Sequence, residues 1–258
     1  MDQATAVGLS PGRNCPLCPR LVALRNANRL LWPDWHNAPV DTFGDPQATL
    51  LIVGLAPGLH GANRTGRPFT GDYAGDLLFA TLIAYGFAAG AYAARPDDGL
   101  RLIGTRLTNA VRCLPPENRP IGAEEAACRP FLAAEMAALP RLRAVLALGV
   151  VAHGAVLAAL GMRKAAHAFA HGARHELPDG RWLFDSYHCS RYNTNTGRLT
   201  EAMFQAVAAD IRRHLDQAQA VQDGLLVEVV AAGYKIGRAL NRNRRTRMQK
   251  FGIHHVGR

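Results

Sequence analysis

Four short apolar runs, separated by stretches with helical spacing, limit this chain to very few architectures. The runs are LLIVG (Leu50 to Gly54), RLTNAVRC (Arg106 to Cys113), AVLALG (Ala144 to Gly149) and RWLFDSYH (Arg181 to His188). Between and after them come DLLFATLIAYGF from Asp76, AEEAACRPFLAAEMAAL from Ala123, and RLTEAMFQAVAADIRRHL from Arg198 to Leu215. Apolar β-rich runs that alternate with helices are expected where successive strands lie parallel and are covered on both faces. The expectation is an α/β fold of three layers, with a central, mainly parallel four-stranded sheet flanked by helices. A chain of 258 residues, 48% of them apolar, is long enough to bury such a core. The longest apolar run, Ala144 to Met162, contains His153 and reads as a strand turning into a helix rather than a membrane span.

Charge divides the chain unevenly. The formal net charge is +10, yet Val229 to Arg258 carries eight Lys/Arg and no Asp/Glu, which leaves 22 basic against 20 acidic residues before it. The chain before Val229 is therefore nearly neutral; residues 1–216 read as the body, and residues 217–258 as a linker (Gln217 to Gly224) and a basic tail. Such a tail favours nucleic acid or another polyanion, and is equally compatible with a solvated end. No charged segment followed by an apolar one opens the chain, so the expected compartment is the cytoplasm. There five cysteines are better explained by metal binding or catalysis than by disulfides.

In parallel α/β sheets, ligands collect at the carboxyl ends of the strands. The unusual residues fall there: Gly54 to Gly75 follows the first run, Asn109 to Pro116 closes the second, and YHCSRYNTNTG (Tyr187 to Gly197) follows the last. In TGRPFTGDYAG, Phe69 and Asp72 sit among glycines, where a core gains little from either. Taken singly, Phe69 reads as a core aromatic, Asp72 as a helix N-cap, and Asn109 and His188 as structural residues. Their predicted convergence on one rim gives them a functional reading. GANRTGRP lacks the Lys-Ser/Thr of a phosphate-binding loop, so a nucleoside triphosphate site is not expected. Cys15 and Cys18 form a C-x2-C pair, and with Cys113 and Cys128 they supply four thiolates, enough for one site. Zinc and an iron–sulfur cluster both accept that set. Cys189 is left over, and its neighbour His188 points to the opposite side of an extended segment.

GLAPGLHGANRTGRPFTGDYAG, LTNAVRCLPPENRP and HCSRYNTNTGRLT, with the cysteine spacing, resemble the family-five iron–sulfur uracil-DNA glycosylases from about Asn14 to Leu215. The resemblance implies a [4Fe–4S] cluster on Cys15, Cys18, Cys113 and Cys128, with a structural role. It implies excision of uracil, and of other deaminated bases such as hypoxanthine, from double-stranded DNA by a monofunctional hydrolase of base-excision repair. Under it, Phe69 stacks on the flipped base, Asn109 reads its edge and the backbone at Leu55 lies along it, with Asn193 positioning lesion or water. Asp72 stabilises the cationic sugar or orients water, and His188 donates to uracil O2. Arg191 and Tyr192 probe the gap in the duplex, and Ser190 and Thr194 meet phosphates. Two departures matter. Leu55 stands where related families place a polar or acidic residue that serves water, leaving Asp72 as the substitute carboxylate. Cys189 stands where the family usually has Pro, which loosens the loop carrying His188.

Two rivals remain at this point: a non-catalytic nucleic-acid binder stapled by zinc, and a hydrolase of free nucleosides. No membrane association is expected, and a monomer is compatible with the sequence, which does not fix the oligomeric state.

Overall fold

In the computed structural model, residues 10–220 and residue 224 are described. The four expected strands are present as β2 (Leu50–Gly54), β5 (Thr105–Asn109), β6 (Ala144–Leu148) and β8 (Trp182–Ser186). They pair in parallel in the order β5-β2-β6-β8, with Leu50 opposite Thr105 and Ala144, and Ala144 opposite Trp182. Two antiparallel strands widen the sheet to six: β1 (Phe43–Gly44) beside β5 and β7 (Arg174–Glu176) beside β8. At two and three residues they are too short to carry a periodic signal, which is why the sequence shows only the four central strands. A separate ribbon joins β3 (Ala88–Ala89) to β4 (Arg101–Leu102).

Side chains of a strand alternate between faces, and here both faces are buried. Leu51, Val53, Val145, Ala147 and Leu183 form one cluster with Leu132 and Met136 of α4 (Gly122–Ala137) and with Ala152, Val156 and Leu157 of α5 (Val150–Ala159). Their alternates Leu50, Ile52, Leu146 and Phe184 are also buried, as are Leu78, Phe79 and Leu82 of α3 (Tyr73–Ala84). Each fully buried Leu or Val contributes roughly 1.5–3 kcal/mol relative to exposure, so the central strands dominate the core. The Ala144 to Met162 run is β6 followed by α5, as its glycines and His153 suggest. Among the described residues no helix is long and apolar enough to cross a membrane.

Residues 201–220 form one helix, so the first residues of the stretch read as a linker are helical. By its contacts the chain divides into Met1–Arg212 and Arg213–Arg258. The basic tail after Gly233 lies outside the described residues.

Candidate active site

The site is built where the parallel strands end. Gly54, the last residue of β2, is in register with Asn109, the last of β5. A Cβ on Gly54 would stand 2.4 Å from Phe69 Cζ and 2.5 Å from Asn109 Oδ1. Glycine is therefore required at that strand end, because the aromatic ring and the amide both press against the bare backbone. Asn109 and Phe69 are buried, at 3% and 6% exposure. Phe69 adopts φ +55°, a left-handed conformation costly for a non-glycine residue and kept only where the surroundings impose it. Those surroundings include Tyr92, whose hydroxyl donates to Phe69 O (3.3 Å) and accepts from Gly71 N (3.4 Å). Arg67 makes a two-pronged pair with Asp98 (2.8 and 2.7 Å) and donates to Thr70 Oγ1 (2.7 Å).

Asp72 occupies the N-cap position of α3, as expected of an Asp before a helix, yet its side chain makes no capping hydrogen bond. Its Oδ1 is buried and has no hydrogen-bond partner. Oδ2 packs over Gly61 and Gly58, where added Cβ atoms would fall 2.2 and 2.9 Å away. Burial raises the Asp72 pKa above the ordinary aspartate value; the N–H groups of Ala74 and Gly75 partly oppose this, and Asp76 adds to it. A half-buried carboxylate with one buried, orphan oxygen is a cost to the fold, and such costs concentrate at functional sites.

His188 reaches the same cleft from the loop after β8. Its ring centroid lies 6.3 Å from that of Phe69. Burial pushes its pKa down to about 4, so at neutral pH the ring is uncharged and one nitrogen carries a donor proton. Its carbonyl accepts from Asn193 Nδ2 (2.8 Å), so Asn193 braces the loop rather than lining the cleft. Cys189 is fully buried, and burial raises its thiol, which leaves it a packing residue in place of a nucleophile.

The cleft has a volume of about 860 Å³ and is lined in part by Leu55, Gly58, Gly61, Asp72, His188 and Arg191; Phe69 and Asn109 are not among its lining residues but lie buried beside it, against Gly54, with Phe69 next to His188. Ser190 lines it too and caps α6 (Arg191–Asn195) by accepting from Asn193 N (3.4 Å). Arg191 lies over the Tyr73 ring at 5.3 Å, and Tyr192 is 71% exposed. Thr194 bonds back to the carbonyls of Ser190 (3.3 Å) and Arg191 (3.1 Å). Among the lining residues not singled out from sequence are His60, Asp76 and Asn118. Only Asn118 left a trace there. It follows Glu117 in a turn where both have positive φ (55° and 54°), a conformation for which Asn is suited.

The four cysteines come near one another. Cys113 and Cys128 are buried and pack with Cys18, Leu21 and Val111. Arg25 Nη2 donates to Cys15 O (2.9 Å), and its Nη1 lies 3.9 Å from Cys113 Sγ. Two ion pairs set the elements that carry them. Arg20 on α1 (Pro19–Leu31) grips Glu124 of α4, with two 2.8 Å bonds. Arg112 holds Glu135 of α4 at 2.8 Å with both side chains 1% exposed. Burial, reinforced by the neighbouring thiols, pushes Cys18 to about 11 and Cys113 to about 12. Among the described residues, ligating atoms that lie within 4.8 Å of one another are those of His153, His175 and Asp185; no three cysteine sulfurs meet that spacing.

This sheet, with its cleft at the strand ends, is that of the uracil DNA glycosylase superfamily, whose family model matches residues 42–212. A Type-5 uracil-DNA glycosylase of Thermus thermophilus is 49% identical over 205 residues, 77% of this chain and 93% of the relative. One from Pyrobaculum aerophilum is 44% identical over 192 residues, 72% and 83% of the two chains, whereas a Type-4 enzyme from the same organism is 32% identical over 152 residues, 58% and 63%. Within the superfamily, this chain belongs to the type-5 uracil-DNA glycosylases. The resemblance read from its three motifs is borne out.

Proposed function

We propose that the chain excises uracil, and other deaminated bases such as hypoxanthine, from double-stranded DNA in base-excision repair, working as a monomer in the cytoplasm. A base inside a duplex is out of reach, so it must be rotated into a pocket, at a cost of a few kcal/mol that a U·G mismatch reduces. Phe69 then stacks on the base and Asn109 pairs with its edge through an amide that offers both donor and acceptor. The backbone at Leu55 lies along base and sugar.

Cleavage of the N-glycosidic bond leaves positive charge on deoxyribose and negative charge on uracil. Asp72 stabilises the first and orients the attacking water. His188, neutral at pH 7, donates to uracil O2 as the base departs; an uncharged donor avoids over-protonating a leaving group that its own ring stabilises. Asn193 holds the His188 loop in place. Arg191 and Tyr192 fill the gap in the duplex, Ser190 and Thr194 meet phosphates in exchange for their local bonds, and the basic tail adds affinity.

Cys15, Cys18, Cys113 and Cys128 fit a [4Fe–4S] cluster. A single zinc ion with bonds of about 2.3 Å would hold its thiolates roughly 3.8 Å apart, whereas a cluster of several irons suits sulfurs set more widely. Cys18, Cys113 and Cys128, raised by burial and by neighbouring thiols, also suit a cationic centre. When bound, the cluster supplies structural cross-linking of the N-terminal loop, β5's exit and α4.

The observation that carries the reading is the orphan Oδ1 of Asp72 in a cleft shared with a neutral imidazole. Replacing Asp72 by Asn in cluster-loaded protein is expected to slow single-turnover uracil release from a U·G duplex by at least about 10²-fold, the scale of losing one electrostatic contact to the transition state. Unchanged release would overturn it. Turnover of free deoxyuridine would favour a nucleoside hydrolase instead, and a non-catalytic zinc-stapled binder finds no support in the relatives.

A further inference from the structure

A second group of ligating side chains lies outside the cleft, at the β8–β7 edge of the sheet. Asp185 on β8 is 0% exposed and His153 on α5 is 3% exposed. Asp185 Oδ1 lies 2.8 Å from His153 Nδ1, and Oδ2 lies 3.1 Å from Nε2 of His175 on β7. The other nitrogen of His153, Nε2, is 2.8 Å from the carbonyl oxygen of His167. That oxygen only accepts, so Nε2 carries the proton and donates. In a neutral ring Nδ1 then presents a lone pair to a carboxylate oxygen. A cation between the two, either a second proton on Nδ1 or a metal ion, is what lets them approach to 2.8 Å. A ring nitrogen facing a carboxylate, with the opposite N–H tied to a backbone carbonyl, is the arrangement by which metal-ligating histidines are oriented.

We propose that His153 Nδ1, His175 Nε2 and Asp185 bind a divalent transition ion of the zinc class, with water in the fourth position. Two imidazoles and one carboxylate are a donor set for such an ion rather than for calcium or magnesium. Metal–ligand bonds of about 2.0–2.2 Å require the three donors to spread by a few tenths of an ångström, which the short edge strand β7 allows. The His175 side chain is 14% exposed and supplies the way in. The ion would tie α5, β7 and β8 together, and β8 leads into the His188 loop. None of the three ligands lines the cleft, so the site is structural.

Cobalt(II) serves as the spectroscopic probe, titrated into full-length, cluster-loaded protein. One equivalent is expected to give visible d–d bands without thiolate charge transfer, unchanged in Asp72→Asn and weakened at least about tenfold in His175→Phe, which keeps the ring packing and removes the ligand. Equal binding to wild type and His175→Phe would overturn the proposal, as would thiolate bands lost in Cys113→Ser; His153 then holds a second proton only. If His175→Phe does not fold, nitrogen NMR of the wild-type histidines decides. Zinc is expected to shift His153 Nδ1 and His175 Nε2, and an unchanged spectrum refutes it.

Discussion

Asp72 shows how little of a residue's role lies in its own identity. It takes the N-cap position that an Asp before a helix is expected to take, but its Oδ1 has no hydrogen-bond partner and its Oδ2 packs over two glycines. Since burial raises its pKa and the ionised form is the useful one, excision should fall with decreasing pH through a value above that of an ordinary aspartate. His188 takes up a proton near pH 4, so the Asp72 variant is what assigns the limb. A pH series of single-turnover rates checks the point, and the limb should be absent from the residual rate of Asp72→Asn. Gly61→Ala tests the packing. Its Cβ would fall 2.2 Å from Asp72 Oδ2 and 3.0 Å from Asp72 Cβ. The carboxylate must move, and excision should drop on the order of 10²-fold. Overpacking itself costs only about 1–3 kcal/mol, so a melting curve should show the fold retained.

At the scale of elements, the loop before α3 is held from outside. Arg67 crosses to Asp98 in the segment after β3, with side chains 5% and 0% exposed, and its guanidinium lies 5.2 Å over the Phe43 ring. Tyr92, from the same segment, holds the backbone at Phe69 and Gly71. A Cβ on Gly75, in the first turn of α3, would meet Phe69 O at 2.1 Å and the Tyr92 hydroxyl at 2.2 Å, so helix, loop and clamp are packed without slack. Asp98→Asn leaves a buried guanidinium without its anion, which costs about 3–5 kcal/mol. Denaturant unfolding should register that loss, and base stacking by Phe69 should weaken with it, raising KM for a uracil-containing duplex. None of this was legible beforehand: Tyr92 and Asp98 lie over twenty residues from the loop they fix and belong to no motif.

For the molecule as a whole, the cysteine site joins segments that start far apart. Cys15 and Cys18 precede α1, Cys113 follows β5 and Cys128 lies within α4. Cys113→Ser is expected to lose the brown colour of an iron–sulfur protein and to destabilise the N-terminal loop, while β6 and β8, remote from it in sheet order, keep their protection in hydrogen exchange. A colourless wild-type protein carrying one zinc would instead show that the four thiols hold a single ion.

The chain's own order of residues determined the parallel strands, because unbroken apolar runs between helical stretches leave them no exposed face. It also placed Asn109 and His188 at or just past strand ends and Phe69 and Asp72 in the loop that follows β2, since strand ends follow from where the apolar runs stop. The short edge strands, the left-handed Phe69, the orphan oxygen of Asp72 and the uncharged state of His188 were decided only by tertiary structure. Each depends on what a side chain loses when others close over it: water, a hydrogen-bond partner or conformational freedom. Those losses arise between residues distant in sequence, so no local pattern records them.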